Sequence, residues 1–291
     1  MAELKEPFRS GFVSLVGRPN VGKSSLVNAI CGSKVSIVSD KPQTTRGVVR
    51  GIYNRQNLQV VFVDTPGLHK PVTALGVQLN STATQAINDV DVVCFVIDAT
   101  KPFGKGDQWV ANRLPPDAIM IVNKVDIASK KAILRQLGQI SGLTADAFFP
   151  VSATSGEGLD ALVERMIERM PEGPMYFPSY MTSDQDEGVR VAELVREQLF
   201  ALLGEELPYS VATRITEWAW PRISCEILVE RESQKGMVIG KGGLLLKDVG
   251  IAVRAQLPEG AYLELRVKVD KNWQHRPDRV ERLLPGADAT S

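Results

Sequence analysis

The chain has 291 residues, which is long enough for two domains that each bury a hydrophobic core. Its 44% hydrophobic and 23% charged residues are typical of an ordinary soluble globular protein. The 34 basic and 34 acidic residues leave a formal net charge of zero. This balance excludes a chain-wide field that would attract nucleic acid, so any basic surface has to be local.

Features of export and membrane insertion are absent from the sequence. Residues 1–7 lack an apolar signal-peptide core, and no apolar run approaches the ~20 residues that span a bilayer. Cys31, Cys94 and Cys225 are far apart and lack C-x-x-C spacing. We therefore expect a reduced, cytosolic protein in which all three cysteines are packed small hydrophobes. Attachment to a membrane surface stays open.

The first motif is a glycine-rich loop of the form G-x-x-x-x-G-K-S. An apolar run, residues 12–16, precedes it, and a helical pattern, residues 25–30, follows it. This order predicts a phosphate cradle, because a strand, a tight glycine turn and a helix N-terminus direct backbone N–H groups at phosphate oxygens. The residues predicted to bind nucleotide here are Gly17, Arg18, Pro19, Asn20, Val21, Gly22, Lys23, Ser24 and Ser25.

Two side chains of this loop have distinct predicted roles. Lys23 reaches the β- and γ-phosphates, and the Ser24 hydroxyl ligates Mg²⁺. The polar segment 39–47 is either a simple connection or a mobile switch whose threonine closes over Mg²⁺ and the γ-phosphate. Thr44 and Thr45 are both candidates for that threonine, and we name Thr45 as the candidate metal ligand.

Two strand-like runs, residues 48–53 and 58–63, are joined by a hairpin signal and lead into a D-x-x-G motif. An aspartate at the end of a buried strand can hold Mg²⁺, and a glycine three residues later offers its N–H to the γ-phosphate. The metal is thus predicted to be held by Ser24, Thr45 and Asp64. The predicted nucleotide-site residues of this motif and its successor are Asp64, Thr65, Pro66, Gly67 and Leu68.

A further strand ends in N-K-x-D, which is typical of the guanine reader of GTP-binding proteins. Asp126 would accept hydrogen bonds from N1–H and the exocyclic amine of guanine. ATP would leave this carboxylate unpaired, so we predict discrimination for GTP of roughly 10⁴ or more. Asn123 bonds the other edge of the base or braces the phosphate loop, and the Lys124 stem packs on the base. The predicted base-site residues are Asn123, Lys124, Val125, Asp126, Ser152 and Ala153.

Strands that alternate with helices predict an α/β domain, with a mixed, mostly parallel sheet and helices on both faces. The five sites, in this order, predict a GTP-binding domain, and residues 11–169 resemble the translation-factor-related class of small GTPases. Many GTPases place a water-orienting glutamine directly after the D-x-x-G glycine. Leu68 occupies that position here, so hydrolysis has to position water in another way.

Asn20 suggests one such way. In related GTPases an asparagine at this place coordinates K⁺, and we hypothesise that K⁺ supplies charge here. His69, a lone histidine in a loop, is predicted to be a bystander rather than a general base. The candidate catalytic residues are Lys23, Asn20, Thr45 and Gly67.

The second half begins with a predicted linker, residues 171–187, and a helix over 189–203 that Gly204 ends. Two strand-like runs, 210–218 and 222–230, precede a G-x-x-G loop between helical segments, and a last strand, 262–269, closes the pattern. This order is that of an α+β type II KH domain, whose loop clamps about four nucleotides. The predicted RNA-binding residues are Ile239, Gly240, Lys241, Gly242, Gly243 and Lys247.

Local charge agrees with an RNA surface. Residues 231–282 contain eleven Lys/Arg and seven Asp/Glu, a net charge of +4. That excess is consistent with a phosphate-facing stripe, although a solvated face would have the same composition. The tail, residues 273–284, either extends the RNA surface or forms a capping helix.

From about residue 8 to residue 284 the chain resembles the bacterial Era GTPases. The segments that carry the resemblance are GRPNVGKSS, PQTTRG, DTPGLHKP, NKVD, VSA, GEELPYSV, ILVERESQKGMVIG and LELRVKV. The predicted domains are a GTPase domain over 8–170, the linker, and a KH domain with its tail over 188–285.

The resemblance implies a monomeric switch protein that binds GTP or GDP with Mg²⁺ and hydrolyses GTP. It also implies binding to the 3′ region of small-subunit (16S) ribosomal RNA and a role in small ribosomal subunit assembly. It implies a cytoplasmic location with peripheral association to the inner face of the cell membrane. An RNA-binding assembly protein in which GTP is mainly a structural ligand stays open as the alternative. A trafficking GTPase fits less well, because the chain ends without a C-a-a-X box.

Overall fold

The computed structural model describes residues 7–68, 71–204 and 207–284, and the chain divides into two compact units. The first unit comprises Met1–Ser36, Thr45–Lys70 and Leu79–Asp184. The second unit comprises Ile37–Thr44, Pro71–Gln78 and Gln185–Ser291. Segment 37–44, which contains part of the predicted switch loop, therefore packs with the second unit rather than the first.

A six-stranded sheet in the order β2-β3-β1-β4-β5-β6 forms the first unit. All neighbouring strands are parallel except β2 and β3, which form an antiparallel hairpin. The strands are β1 Arg9–Val16, β2 Val49–Arg55, β3 Leu58–Asp64, β4 Val92–Asp98, β5 Ile119–Asn123 and β6 Ala147–Pro150. The helices that alternate with these strands along the chain are α1 Lys23–Cys31, α2 Ala74–Asn88, α3 Lys105–Ala111, α4 Lys130–Ile140 and α5 Leu159–Glu168. Residues 74–78 of α2 belong to the second unit.

Both faces of this sheet are buried, because the central strands carry apolar side chains at successive positions. In β4, Cys94 and Val96 belong to one core, with residues of α1 and α5, while Phe95 and Ile97 belong to another, with residues of α2, α3 and α4. A parallel strand covered on both faces has this near-continuous apolar sequence. The predicted α/β fold is confirmed.

The segment after α5 is held against the first unit rather than hanging free. The side chain of Gln59 accepts hydrogen bonds from the N–H groups of Tyr176 and Phe177 (2.9 and 3.0 Å) and donates one to the carbonyl of Phe177 (2.8 Å). Farther along, the N–H of Ile52 donates to the carbonyl of Thr182 (2.9 Å). Much of the predicted linker is thus hydrogen-bonded to this unit and belongs to it.

Within its described residues, the second unit is built mainly from one three-stranded sheet and four α-helices of its own. The helices are α6 Glu187–Leu202, α7 Glu232–Ile239, α8 Leu244–Arg254 and α9 Pro277–Leu283. The strands β7 Ala212–Ala219, β8 Arg222–Val229 and β9 Tyr262–Val269 form one sheet in chain order, antiparallel between β7 and β8 and parallel between β8 and β9. The predicted KH-type order of elements is confirmed.

The tail packs onto this unit. Trp273 is 1% exposed, its indole N–H donates to the carbonyl of Ser210 (2.9 Å), and Val280 of α9 is also buried. These contacts favour the capping helix over the alternative of an extended RNA surface. Within the described residues, no helix is both long and apolar enough to cross a membrane.

Candidate functional site

The predicted nucleotide residues lie at one edge of the six-stranded sheet. The carboxyl ends of parallel strands meet at the same edge, so the residues that follow β1, β3, β5 and β6 come together. The phosphate loop follows β1, Asp64 ends β3, Asn123 ends β5, and Ser152 follows β6. The topology thus brings four of the predicted segments to one place.

Close packing requires glycine at two points of this edge. A Cβ on Gly22, which has φ +98°, would lie 2.2 Å from Nδ2 of Asn123, and one on Gly67 would lie 2.6 Å from the backbone nitrogen of Pro19. Gly22 is also the N-cap of α1 and offers no side chain to the first N–H groups of that helix. Those donors and the positive end of the helix dipole suit an anion.

Lys23 is 6% exposed, and its Nζ lies 3.3 and 3.2 Å from the carbonyl oxygens of Gly17 and Arg18. Burial lowers the pKa of Lys23 to about 8, and the nearby carboxylate of Asp64 partly offsets this effect. A buried ammonium that donates its hydrogen bonds to neutral carbonyls is further stabilised by a phosphate oxygen. The residues present therefore fit a phosphate group.

Ser24, Thr45 and Asp64 meet at the same place. The Ser24 hydroxyl donates to Oδ2 of Asp64 (2.7 Å) and lies 3.0 Å from Oγ1 of Thr45, which is itself 3.4 Å from that carboxylate oxygen. Asp64 is fully buried, and its Oδ1 has no hydrogen-bond partner among the described residues. Two hydroxyls and a buried carboxylate form a hard oxygen set of the kind that Mg²⁺ prefers.

The two threonines of the predicted switch differ in their contacts. The Thr44 hydroxyl donates to the carbonyl of Lys41 (2.6 Å), while the Thr45 hydroxyl lies with Ser24 and Asp64. Burial raises the pKa of Asp64, and the charge of Lys23 and the Ser24 hydrogen bond oppose that rise. A divalent cation would stabilise the same charged form. The geometry therefore brings Thr45, and not Thr44, to the candidate metal site.

Asn123 braces the loops around it. Its Nδ2 donates to the carbonyl of Val21 (2.9 Å), and its Oδ1 accepts from the N–H of Ala153 (3.1 Å). Of the two roles predicted for Asn123, the structure shows the brace of the phosphate loop. Asp126 is exposed at the end of the same motif, and Ser152 is buried, with its hydroxyl accepting from the N–H of Ser155 (3.0 Å).

A buried aspartate that the sequence reasoning missed supports this motif. Asp98, 5% exposed at the end of β4, accepts a hydrogen bond from Nζ of Lys124 (2.8 Å), and the same ammonium donates to the carbonyl of Asn20 (2.7 Å). Burial acts to raise the pKa of Asp98, but the bonds from Lys124 and Thr100 outweigh it and lower the pKa below its usual range. Its place at a strand end, like that of Asp64, was the available signal.

Leu68 packs inside the protein. It is 1% exposed, belongs to the core with Phe95, and its N–H donates to the carbonyl of Gly17 (3.1 Å). A buried leucine cannot orient water, which agrees with the prediction that water is positioned by other groups. His69, predicted to be a bystander, lies outside the described residues.

The G-x-x-G loop lies between α7 and α8. Gly240, Gly242 and Gly243 all have positive φ, and a Cβ on Gly240 would lie 2.7 Å from Cβ of Leu245. Lys241 and Lys247 are exposed, and Ile239 is half-buried. The glycines leave the backbone open to a close sugar–phosphate chain, and the two lysines can meet its charge.

Comparisons with known proteins agree with both predicted domain types. A family model described as a 50S ribosome-binding GTPase matches residues 12–124, and a KH domain model matches residues 206–274. The GTPase Era of Mycolicibacterium smegmatis is 44% identical over 294 residues, covering 95% of this chain and 98% of the relative. That of Mycobacterium tuberculosis is 43% identical over 296 residues with the same coverage.

Two solved structures match with a TM-score of 0.90, 38% identity, and coverage of 96% of this chain and 99% of the other. One is Era in complex with MgGDPNP and nucleotides 1506–1542 of 16S ribosomal RNA. The other is an Aquifex aeolicus Era variant bound to GDP·AlF4⁻. The resemblance seen in the sequence is confirmed, and the chain belongs to the Era family of GTPases.

Proposed function

We propose that this protein is a GTP-hydrolysing switch that binds the 3′ region of small-subunit ribosomal RNA and acts in small ribosomal subunit assembly. The observation that carries the GTPase half is the meeting of Ser24, Thr45 and Asp64 beside the buried Lys23. Relatives that share both domains have been solved with MgGDPNP and 16S ribosomal RNA and with GDP·AlF4⁻.

Each residue of the site has a separate task in this account. The N–H groups at Gly22 and the start of α1 bind phosphate oxygens, and Lys23 neutralises the charge that develops on them. Mg²⁺, held by Ser24, Thr45 and Asp64, would supply further charge stabilisation on the phosphates. Asp126 orients guanine. The chain thus contributes positioning and electrostatic stabilisation, which dominate phosphoryl transfer.

Guanine selectivity tests the nucleotide assignment. With Mg²⁺ present, we expect turnover of GTP and none of ATP, because adenine lacks the donors that Asp126 reads. Asp126→Asn should weaken GTP binding while leaving the phosphate loop intact. Equal turnover of both nucleotides by the wild-type protein would contradict the assignment.

The RNA half is supported by the open G-x-x-G loop, by the exposed Lys241 and Lys247, and by the net charge of +4 over residues 231–282. One variant distinguishes the switch from the alternative, in which GTP is mainly a structural ligand. If Lys23→Ala loses turnover but still supports ribosome maturation in cells, the structural-ligand alternative is correct. If the protein is a switch, we expect that Lys23→Ala does not support ribosome maturation.

The proposal includes a role for K⁺ in hydrolysis. K⁺ bound through Asn20 would supply positive charge, which the apolar side chain of Leu68 cannot do. The backbone of Asn20 is left-handed (φ 65°), and Nζ of Lys124 donates to its carbonyl.

The family resemblance supports a cytoplasmic monomer with peripheral association to the inner face of the membrane. Cell fractionation and flotation of the purified protein with anionic vesicles test the location, and sedimentation tests the monomer.

A further inference from the structure

Segment 37–44, which includes the first part of the predicted switch loop, belongs to the second unit. Ile37 is 6% exposed and belongs to the same hydrophobic core as Leu194 and Val195 of α6. The N–H of Val38 donates to Oε1 of Glu197, also on α6, at 3.1 Å. Segment 37–44 is therefore attached to α6 by both apolar and polar contacts.

Arg196 holds the other end of this segment. Its side chain is 1% exposed and forms an ion pair with Glu193, one turn earlier on α6. The guanidinium also donates to the carbonyl oxygens of Gln43 (3.5 Å) and Thr44. Its Cζ lies 5.1 Å from the centre of the Phe200 ring. The arginine is thus enclosed by α6 and by two backbone carbonyls of the segment.

The two carbonyl contacts satisfy hydrogen-bond donors of a buried, permanently charged side chain. A guanidinium has five N–H donors and cannot lose its charge, so burial is tolerated only when those donors are satisfied. Glu193 accepts hydrogen bonds from Nε and Nη2 of the guanidinium. The carbonyls of Gln43 and Thr44 accept further hydrogen bonds, from Nη1 and Nη2. Moving the segment away would leave a buried charge with unmet hydrogen bonds, so the backbone at these two residues is firmly held.

The residue that follows Thr44 is the candidate metal ligand Thr45, whose hydroxyl lies with Ser24 and Asp64 in the first unit. We propose that Arg196 is a positioning residue for GTP hydrolysis: by holding the carbonyls of Gln43 and Thr44, it fixes the backbone that carries the Thr45 hydroxyl. Arg196 touches neither substrate nor metal and acts through one peptide bond. This inference rests on the proposed GTPase function and extends it to a residue outside every nucleotide motif.

Mg²⁺ dependence distinguishes positioning from a general structural role. Thr45 serves the GTP state, so a displaced Thr45 should raise the Mg²⁺ concentration for half-maximal turnover and lower kcat, each on the order of tenfold. GDP affinity should change by less than about twofold, because the phosphate loop and Asp126 are untouched. Loss of folding would instead lower kcat and the fraction of protein that binds GDP together, while the folded fraction would keep the wild-type Mg²⁺ concentration for half-maximal turnover.

The experiment measures GTP turnover against Mg²⁺, and GDP affinity, for the full chain. Arg196→Met removes the donors, and Glu193→Gln/Arg196→Met also removes the carboxylate charge, so that Glu193 is not left as an unpaired buried charge. Arg196→Lys should fall between these and the wild type, since one ammonium cannot reproduce the fork. Arg190→Met, an exposed arginine on the same helix, is the matched control and should behave as wild type.

The outcomes separate cleanly. The assignment is supported if both Met variants need more Mg²⁺, turn over slowly and keep their GDP affinity. It is overturned if either folded variant keeps the wild-type kcat and Mg²⁺ dependence, or loses GDP affinity as severely as turnover. The wild-type protein is measured first. If it does not hydrolyse GTP, the proposed function itself is overturned, and this outcome is distinct from any difference between the variants.

Discussion

Two glycine-rich loops among the described residues are predicted to bind phosphate groups, and their surroundings differ. In the phosphate loop, a Cβ on Gly22 would lie 2.2 Å from a neighbouring side chain. In the G-x-x-G loop, a Cβ on Gly242 or Gly243 would meet nothing within 4 Å, and only Gly240 is closely packed. The first loop is shaped by its neighbours before any ligand arrives, as a site for one fixed phosphate geometry requires. The second is shaped by its own backbone and left open to a longer, more variable chain.

The lysines of the two loops follow the same division. Lys23 is buried and its pKa is lowered to about 8, while Lys241 is exposed. A buried ammonium gains much from a phosphate contact, because the nearby Asp64 carboxylate offsets only part of the cost of burying the charge. An exposed one gains little per contact and contributes mainly to attraction and salt dependence. Substitutions should therefore have large effects in the first loop and small ones in the second.

The largest expected effect comes from Gly22→Ala. The added Cβ conflicts with Asn123 at a left-handed backbone position, so the loop has to shift, and a shift of about 1 Å can cost on the order of 100-fold in binding or rate. Calorimetry with GDP should show at least that loss, with RNA affinity unchanged.

Gly32→Ala is the matched control for that variant, because Gly32 has φ +62° but nothing within 4 Å of its Cβ position. We expect about 1 kcal/mol lower stability and wild-type nucleotide affinity. If Gly22→Ala and Gly32→Ala bind GDP equally well, the phosphate loop is not constrained as described.

Asn20→Ala tests how the constrained loop supplies charge. If K⁺ is held through Asn20, turnover of the wild-type protein is faster in K⁺ than in Na⁺, and the variant loses roughly 10- to 100-fold in K⁺ only. The measurement is kcat in matched KCl and NaCl buffers. Equal wild-type rates in the two salts would remove the K⁺ hypothesis, as would a variant with unchanged turnover.

Asp98→Asn tests the support behind the loop. The variant loses the charge that holds Lys124, which should weaken GTP and GDP binding about equally, by roughly tenfold, with kcat nearly unchanged. A double-mutant cycle with Lys124→Ala should show that Asp98 acts through Lys124, since its effect should vanish once the lysine is absent. Asp146→Asn, which breaks the pair with Arg165 elsewhere in the same unit, is the control. Additive effects of Asp98→Asn and Lys124→Ala would contradict this arrangement.

The smallest effects are expected in the G-x-x-G loop. Gly242→Ala places a Cβ in open space at φ +61°, so only backbone strain of about 1 kcal/mol opposes it, or about fivefold in RNA affinity. Gly242→Asn should lose less, because asparagine tolerates this conformation better. Titration with a short RNA from the small-subunit 3′ end checks both. A loss of 100-fold would show that this loop is as constrained as the phosphate loop.

Sequence reasoning succeeded where a motif carries its own steric and chemical demands. The phosphate loop, the D-x-x-G motif and the KH-type order are predictable because few other residues meet those demands. Helices α2 and α4 were not predicted. In α4, the buried residues are Gln136 and Ile140, and a buried glutamine does not signal a core-facing position.

Buried charges show a different limit. The ion-pair partner of Asp98 is Lys124, 26 positions away, and Arg196 contacts Thr44, 152 positions away. Charged residues are usually exposed, so sequence alone assigns them to the surface. The sequence also could not show which of the neighbours Thr44 and Thr45 lies at the candidate metal site, because both are threonines. Their different contacts are visible only in the structure.

The most direct test of the central claim is single-turnover GTP hydrolysis by the full chain in K⁺ and Mg²⁺, with and without a short RNA from the 3′ end of small-subunit ribosomal RNA. The account predicts that this RNA changes the GTP hydrolysis rate severalfold, that a scrambled RNA does not, and that Lys23→Ala shows no turnover with either. An identical rate with and without the RNA, although the RNA is bound, would contradict a GTPase switch that acts on ribosomal RNA.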